Sequence, residues 1–101
     1  MAVVSMMRMS GDTDELIAKL GPIMQLGRDL APKHGGLGSL VARTDDGILA
    51  INLWENEEGR QAMAEEPAIL EALSSAGLPA PAFEGYEVLW VAIRPEAVRE
   101  S

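Results

Sequence analysis

Ile48-Leu49-Ala50-Ile51-Asn52-Leu53-Trp54-Glu55 is the stretch that decides the fold. It lies between Asp46-Gly47, a pair suited to a tight hairpin turn, and Asn56, a residue suited to starting a helix. Its length and its aliphatic and aromatic content predict a β-strand. Side chains alternate across a strand, so Leu49, Ile51 and Leu53 share one face and Ile48, Ala50, Asn52 and Trp54 share the other. Both faces are largely apolar. In a small antiparallel sheet with helices on one side, the second face is ordinarily wet and polar. A strand that is apolar on both faces therefore needs cover on its far side, and a second copy of the same chain would supply it.

Working outward, Val3 to Met9 predicts a first strand, ended by Ser10-Gly11-Asp12. Asp12 and Glu15 have capping-box spacing, and Leu16, Leu20, Ile23, Met24, Gly27 and Leu30 follow at helical intervals. Pro22 sits in that stripe and predicts a kink or a break near Gly21, while Pro32 ends the helix. Lys33-His34-Gly35-Gly36 is the exit loop, and Leu37 to Thr44 predicts the second strand. After the third strand, Asn56 caps a helix with Glu57 and Glu58 in its first turn, and Pro67 begins a second helical piece that carries Ile69, Leu70 and Leu73. Gly77 and Pro79 close it. Gly85 to Ile93 predicts the fourth strand, and 94–101 is a tail.

The order is β-α-β-β-α-β over a single domain, 1–101. This is the α+β, ferredoxin-like plan, with a four-stranded antiparallel sheet and right-handed crossovers that put the helices on one face. Whichever set of side chains each strand turns away from the helices, the far face is apolar. With Val4, Met6, Leu40 and Ala42 it forms a patch on the order of 600 Å², larger than soluble monomers ordinarily show. Two sheets facing each other across a two-fold axis would hide it, giving a homodimeric barrel.

Composition limits the function classes. The 101 residues carry a net charge of −8, which disfavours nucleic acid and anionic membrane surfaces as partners. No cysteine is present, which excludes disulfides, thiolate metal sites and cysteine nucleophiles. With one histidine as well, a protein-held transition metal is not expected. The opening Met1-Ala2-Val3-Val4-Ser5-Met6-Met7 lacks a basic region and Arg8 cuts its apolar run, so neither a signal peptide nor a membrane span is expected and a cytoplasmic location is the default.

Three segments carry a resemblance: His34-Gly35-Gly36-Leu37-Gly38-Ser39, then Arg43-Thr44-Asp45-Asp46-Gly47, then Ile51-Asn52-Leu53-Trp54-Glu55-Asn56-Glu57-Glu58. In these the chain resembles the dimeric α+β barrel superfamily, and within it the antibiotic-biosynthesis-monooxygenase-like (ABM) group. The likeness spans Val3 to Ile93. It implies a homodimer and an apolar cleft for a small hydrophobic or aromatic molecule, and the group includes cofactor-free oxygenases of aromatic polyketides, quinol oxygenases and heme-degrading oxygenases. The heme-degrading branch uses an Asn on the first strand and a Trp and a His on the second helix. The corresponding positions here are Met6 or Met7, Met63 and Leu73, so heme degradation is disfavoured.

The resemblance thus implies a cofactor-independent monooxygenase acting on an aromatic, polyketide or quinol-like substrate. The alternative is a non-catalytic dimeric small-molecule-binding or pathway-accessory protein. For the first, the candidate catalytic residues are Asn52 as polar anchor, His34 as base and Tyr86 as proton relay. Trp54 as ring platform, Met63 in an adaptable wall and Arg94 as anion holder are the candidates for substrate binding. Each also has a plain structural explanation. Trp54 can anchor the helix start, Asn52 can bond across an interface, His34 can face a helix end, Met63 can fill the core, and Tyr86 and Arg94 can mark strand ends.

Overall fold

A computed structural model describes residues 1–78 and 82–92 of the chain. The elements follow in the order β1 (Val3–Ser10), α1 (Thr13–Leu30), β2 (Gly36–Thr44), β3 (Gly47–Trp54), α2 (Glu57–Ala64), α3 (Pro67–Ser75) and β4 (Phe83–Glu87). They form the expected α+β, ferredoxin-like arrangement. The four strands make one sheet in the order β2-β3-β1-β4, with every neighbouring pair antiparallel. Among the described residues no helix is long and apolar enough to cross a membrane.

The register settles which face meets the helices. Val3, Ser5, Met7 and Met9 of β1 are buried, and they stand opposite Trp54, Asn52, Ala50 and Ile48 of β3. These side chains share the covered face. Met7, Met9 and Ile48 join Leu16, Leu20 and Ile23 of α1 and Leu73 of α3 in the core. Ile48, at 1% exposure, is its most deeply buried apolar side chain. The other face carries Val4 and Met6 of β1, Leu49, Ile51 and Leu53 of β3, and Leu40 and Ala42 of β2, with Glu84 and Tyr86 of β4 at one edge. Among the described residues no element covers it, and Leu40 and Tyr86 are each 54% exposed.

Local chemistry sets the element ends. Asp12 accepts a hydrogen bond from the Glu15 amide at 3.0 Å and starts α1. Asn56 does the same for α2 through the Gly59 amide at 2.8 Å. Pro67 begins α3 as expected, at a position where no amide donor is missed. Between α1 and β2, Ala31–His34 forms one 3₁₀ turn, closed by Gly35 in the left-handed region at φ 77°.

Two expectations are corrected. Pro22 does not split α1, which runs unbroken for 18 residues. Both Pro22 and Ala18, whose carbonyl loses its amide partner, are exposed, so water can take that hydrogen bond and the core side of the helix stays intact. The fourth strand is Phe83–Glu87, not Gly85–Ile93. Its partner β1 begins at Val3, opposite Glu87, and the ladder gains only one further bond, from the Val88 amide to the Ala2 carbonyl at 2.9 Å. Leu89, Trp90 and Val91 lie beyond the ladder and are exposed at 89%, 82% and 55%. Ile93, Arg94 and the tail 94–101 lie outside the described residues.

Candidate functional site

The helices do not lie flat on the sheet. Between α1, α2, α3 and the covered face is a cavity of about 530 Å³. Its walls are mostly apolar: Leu20, Ile23 and Met24 from α1, Met63 from α2, and Ile69, Leu70 and Leu73 from α3. Its floor is the sheet, where Met7, Ile48 and Ala50 lie beside a more polar strip.

That strip comes from the register. Ser39 of β2 stands opposite Asn52 of β3, Asn52 opposite Ser5 of β1, and Ser5 opposite Gly85 of β4. Ser39, Asn52 and Ser5 all line the cavity and form one row across the strands. Adjacent strands lie about 4.8 Å apart, so the row from Ser39 to Gly85 spans about 14 Å. Ser5 is 2% exposed, and its Oγ accepts a hydrogen bond from Trp54 Nε1 at 3.1 Å. That bond fixes the indole at the end of the floor. The Asn52 carboxamide is half-buried and has no hydrogen-bond partner among the described residues. It can offer a donor or an acceptor to a molecule in the cavity.

Of the residues singled out from sequence, the cavity brings together Asn52, Trp54 and Met63. His34 and Tyr86 do not line it. His34 Nε2 lies 3.1 Å from Glu66 Oε2, joining the 3₁₀ turn to the residue that precedes α3. The same turn is pressed against α2, because a Cβ at Gly59 would overlap the His34 carbonyl oxygen. Tyr86 stands on the uncovered face, where its hydroxyl donates to Glu84 Oε2 at 2.8 Å. That hydrogen bond and the negative charge of Glu84 push the phenol above its ordinary value. Arg94 lies outside the described residues.

Four polar residues of the lining were not singled out from sequence: Ser5, Ser39, Arg28 and Arg60. Each sits in a local pattern that reads as unremarkable strand or helix surface. Only the pairing of three strands shows that the two serines flank Asn52. Arg60 is held by Glu57 one helical turn earlier, its Nε 3.0 and 2.9 Å from the two carboxylate oxygens. That contact holds the Glu57 carboxyl below, and the Arg60 guanidinium above, their ordinary values. Among the described residues no group of three or more His, Asp or Glu gathers that could hold a metal ion.

No protein-family model and no curated protein matches the chain by sequence. Solved structures do match in fold. The cofactor-independent oxygenase SnoaB from Streptomyces nogalater superposes with a TM-score of 0.67 at 12% identity, covering 89% of this chain and 95% of that one. A protein described as an antibiotic biosynthesis monooxygenase, from Chloroflexus aurantiacus J-10-fl, gives 0.67 at 18% identity over 91% and 97%. A heme-degrading protein from Mycobacterium tuberculosis gives 0.50 at 21% identity over 91% and 99%. At these identities the likeness is one of fold: the chain has the architecture of ABM-like proteins.

Proposed function

On the premise of that shared fold, we propose that this chain is a cofactor-independent monooxygenase that takes a flat, mostly apolar aromatic or quinol-like molecule into the cavity between sheet and helices. The observation that carries the proposal is the polar row Ser39, Asn52, Ser5 on the floor of an otherwise apolar cavity. Ligand sites have this composition, with apolar walls for binding and a few placed polar groups for orientation. Trp54, held by Ser5, is the ring platform, and Met63 is part of the adaptable wall above it.

The chemistry needs only the substrate and molecular oxygen. A ring methylene beside an aromatic carbonyl system loses a proton, and the resulting carbanion passes one electron to oxygen. The radical pair combines into a hydroperoxide, which eliminates water. One oxygen atom becomes a new carbonyl and the other leaves as water with the two hydrogens of the methylene. Asn52 would donate to the oxygen that carries negative charge, and the apolar walls would keep water from quenching the intermediates.

The chain would work as a homodimer. The uncovered face of the sheet is apolar where β3 crosses it, and the run Leu89, Trp90 and Val91 beyond β4 is exposed as well.

One observation favours the alternative, a dimeric binding protein without catalysis. Among the described residues the lining holds no histidine, lysine, tyrosine or carboxylate, so no conventional base faces the ligand. Oxygen uptake separates the two. With an anthrone-type substrate, the oxygenase consumes oxygen above the spontaneous rate and Asn52→Ala lowers kcat about a hundredfold. A wild-type rate equal to the spontaneous one would leave only the binding protein.

A further inference from the structure

Arg60 ends the polar row of the cavity floor. A Cβ at Gly85 would lie 3.4 Å from Arg60 Nε, so the guanidinium rests over Gly85, the strand partner of Ser5. The Arg60 side chain is only 18% exposed, and Glu57 grips one edge of it through Nε and Nη2. Glu57 is 48% exposed and does not line the cavity. Nη1, on the other edge, has no hydrogen-bond partner among the described residues. The grip of Glu57 therefore fixes the guanidinium in place and leaves a forked donor edge available.

The charge of the lining runs against that of the chain. The sequence holds 16 acidic residues against 8 lysines and arginines. Yet among the described residues the charged groups that line the cavity are Arg28 and Arg60, and no carboxylate joins them. A guanidinium stays charged at any working pH, and in a partly buried, apolar surrounding it favours an anion beside it.

We propose that the cavity selects an anionic ligand and that Arg60 is the residue that sets this selectivity. The ligand is a flat aromatic molecule whose carboxylate, phenolate or enolate oxygen meets the free edge of Arg60, with its rings lying along Ser5, Asn52 and Ser39. This rests on the cavity being the ligand site. Where the anion is the enolate itself, it has already lost the proton whose departure starts the oxidation, which fits a lining without a base; a carboxylate would serve for binding alone.

Calorimetric titration of the full chain with a naphthalene carboxylate and with the matching carboxamide tests it. The two probes share one shape and differ in charge. Wild type binds the carboxylate about tenfold more tightly, the scale of a charge-assisted hydrogen bond in a shielded site. Arg60→Gln brings the ratio of the two affinities to one, and Arg60→Lys, which keeps the charge but not the fork, retains about a threefold preference. Equal binding of the probes by wild type overturns the selectivity and leaves the cavity as a ligand site. A preference that survives in Arg60→Gln overturns the assignment to Arg60. Binding of neither probe overturns both the selectivity and the cavity. If Arg60→Gln fails to fold by circular dichroism, the wild-type ratio and Arg60→Lys decide.

Discussion

The two faces of the sheet are made from nearly the same residue types, and they differ in what interrupts them. The uncovered face is broken by Arg8, Glu84 and Tyr86 towards its margins, while its middle is the aliphatic strip Leu49, Ile51 and Leu53. The covered face is broken in its middle, where Ser39, Asn52 and Ser5 line up. A greasy surface with polar margins suits contact with another protein. A greasy surface with polar groups at its centre, under a cavity, suits a small molecule. Hydrophobicity alone does not tell these apart, whereas the position of the polar groups does.

The sharpest way to break this contrast is a charge in the middle of the uncovered strip. Ile51→Glu should weaken self-association about a thousandfold or more, because a lone carboxylate would be buried between the sheets, and sedimentation should show single chains where wild type shows pairs. Wild type sedimenting as single chains at micromolar concentration would end the claim for that face. On the covered side, Ile48→Ala should cost about 3 kcal/mol of stability, read as a lower urea midpoint, because it empties the most deeply buried apolar site of the core. Ser5→Ala should cost about 2 kcal/mol and also disturb ligand binding, since it leaves the buried Trp54 N–H without its acceptor. A Ser5→Ala variant as stable as wild type would show that water replaces the hydroxyl there.

The smallest expected effect concerns the grip on Arg60. Its hydrogen bonds hold the Glu57 carboxyl below the usual glutamate range. A carboxyl depressed in the folded state stabilises the fold above its unfolded value and loses that contribution as pH falls through the folded one. Carbon-detected NMR titration should place Glu57 below an ordinary glutamate in wild type and return it to the ordinary value in Arg60→Gln. No change on substitution would mean that the two side chains are apart in solution.

Most of the fold was legible because it depends on local signals. Asp12 and Asn56 announce the helix starts, Asp46-Gly47 the hairpin, and Pro67 the restart of the helix. The misread elements depended on partners. A proline inside a helical stripe reads as a break, but Pro22 lies on the wet side of α1. An alternating apolar run reads as a strand to Ile93, but a strand needs a neighbour, and β1 lies alongside only as far as Glu87. The candidate site divides in the same way. Asn52 and Trp54 stood out within their own strand. Ser5, Ser39 and Arg60 are ordinary in sequence and become a set only through pairings that join residues 5, 39, 52 and 85. His34 stands out in sequence as the one histidine, yet its partner is Glu66, 32 positions away.

The chain holds two tryptophans, in opposite circumstances. Trp54 is 6% exposed, bonded through its indole N–H, and borders the cavity, while Trp90 is 82% exposed beyond the end of β4. A shielded indole emits at shorter wavelength than a wet one, so the emission band of this protein is a sum of two separable lamps. Filling the cavity would dim the blue component, and a second chain closing over Trp90 would shift the red one. One spectrometer could thus follow ligand and partner independently, without attaching a dye.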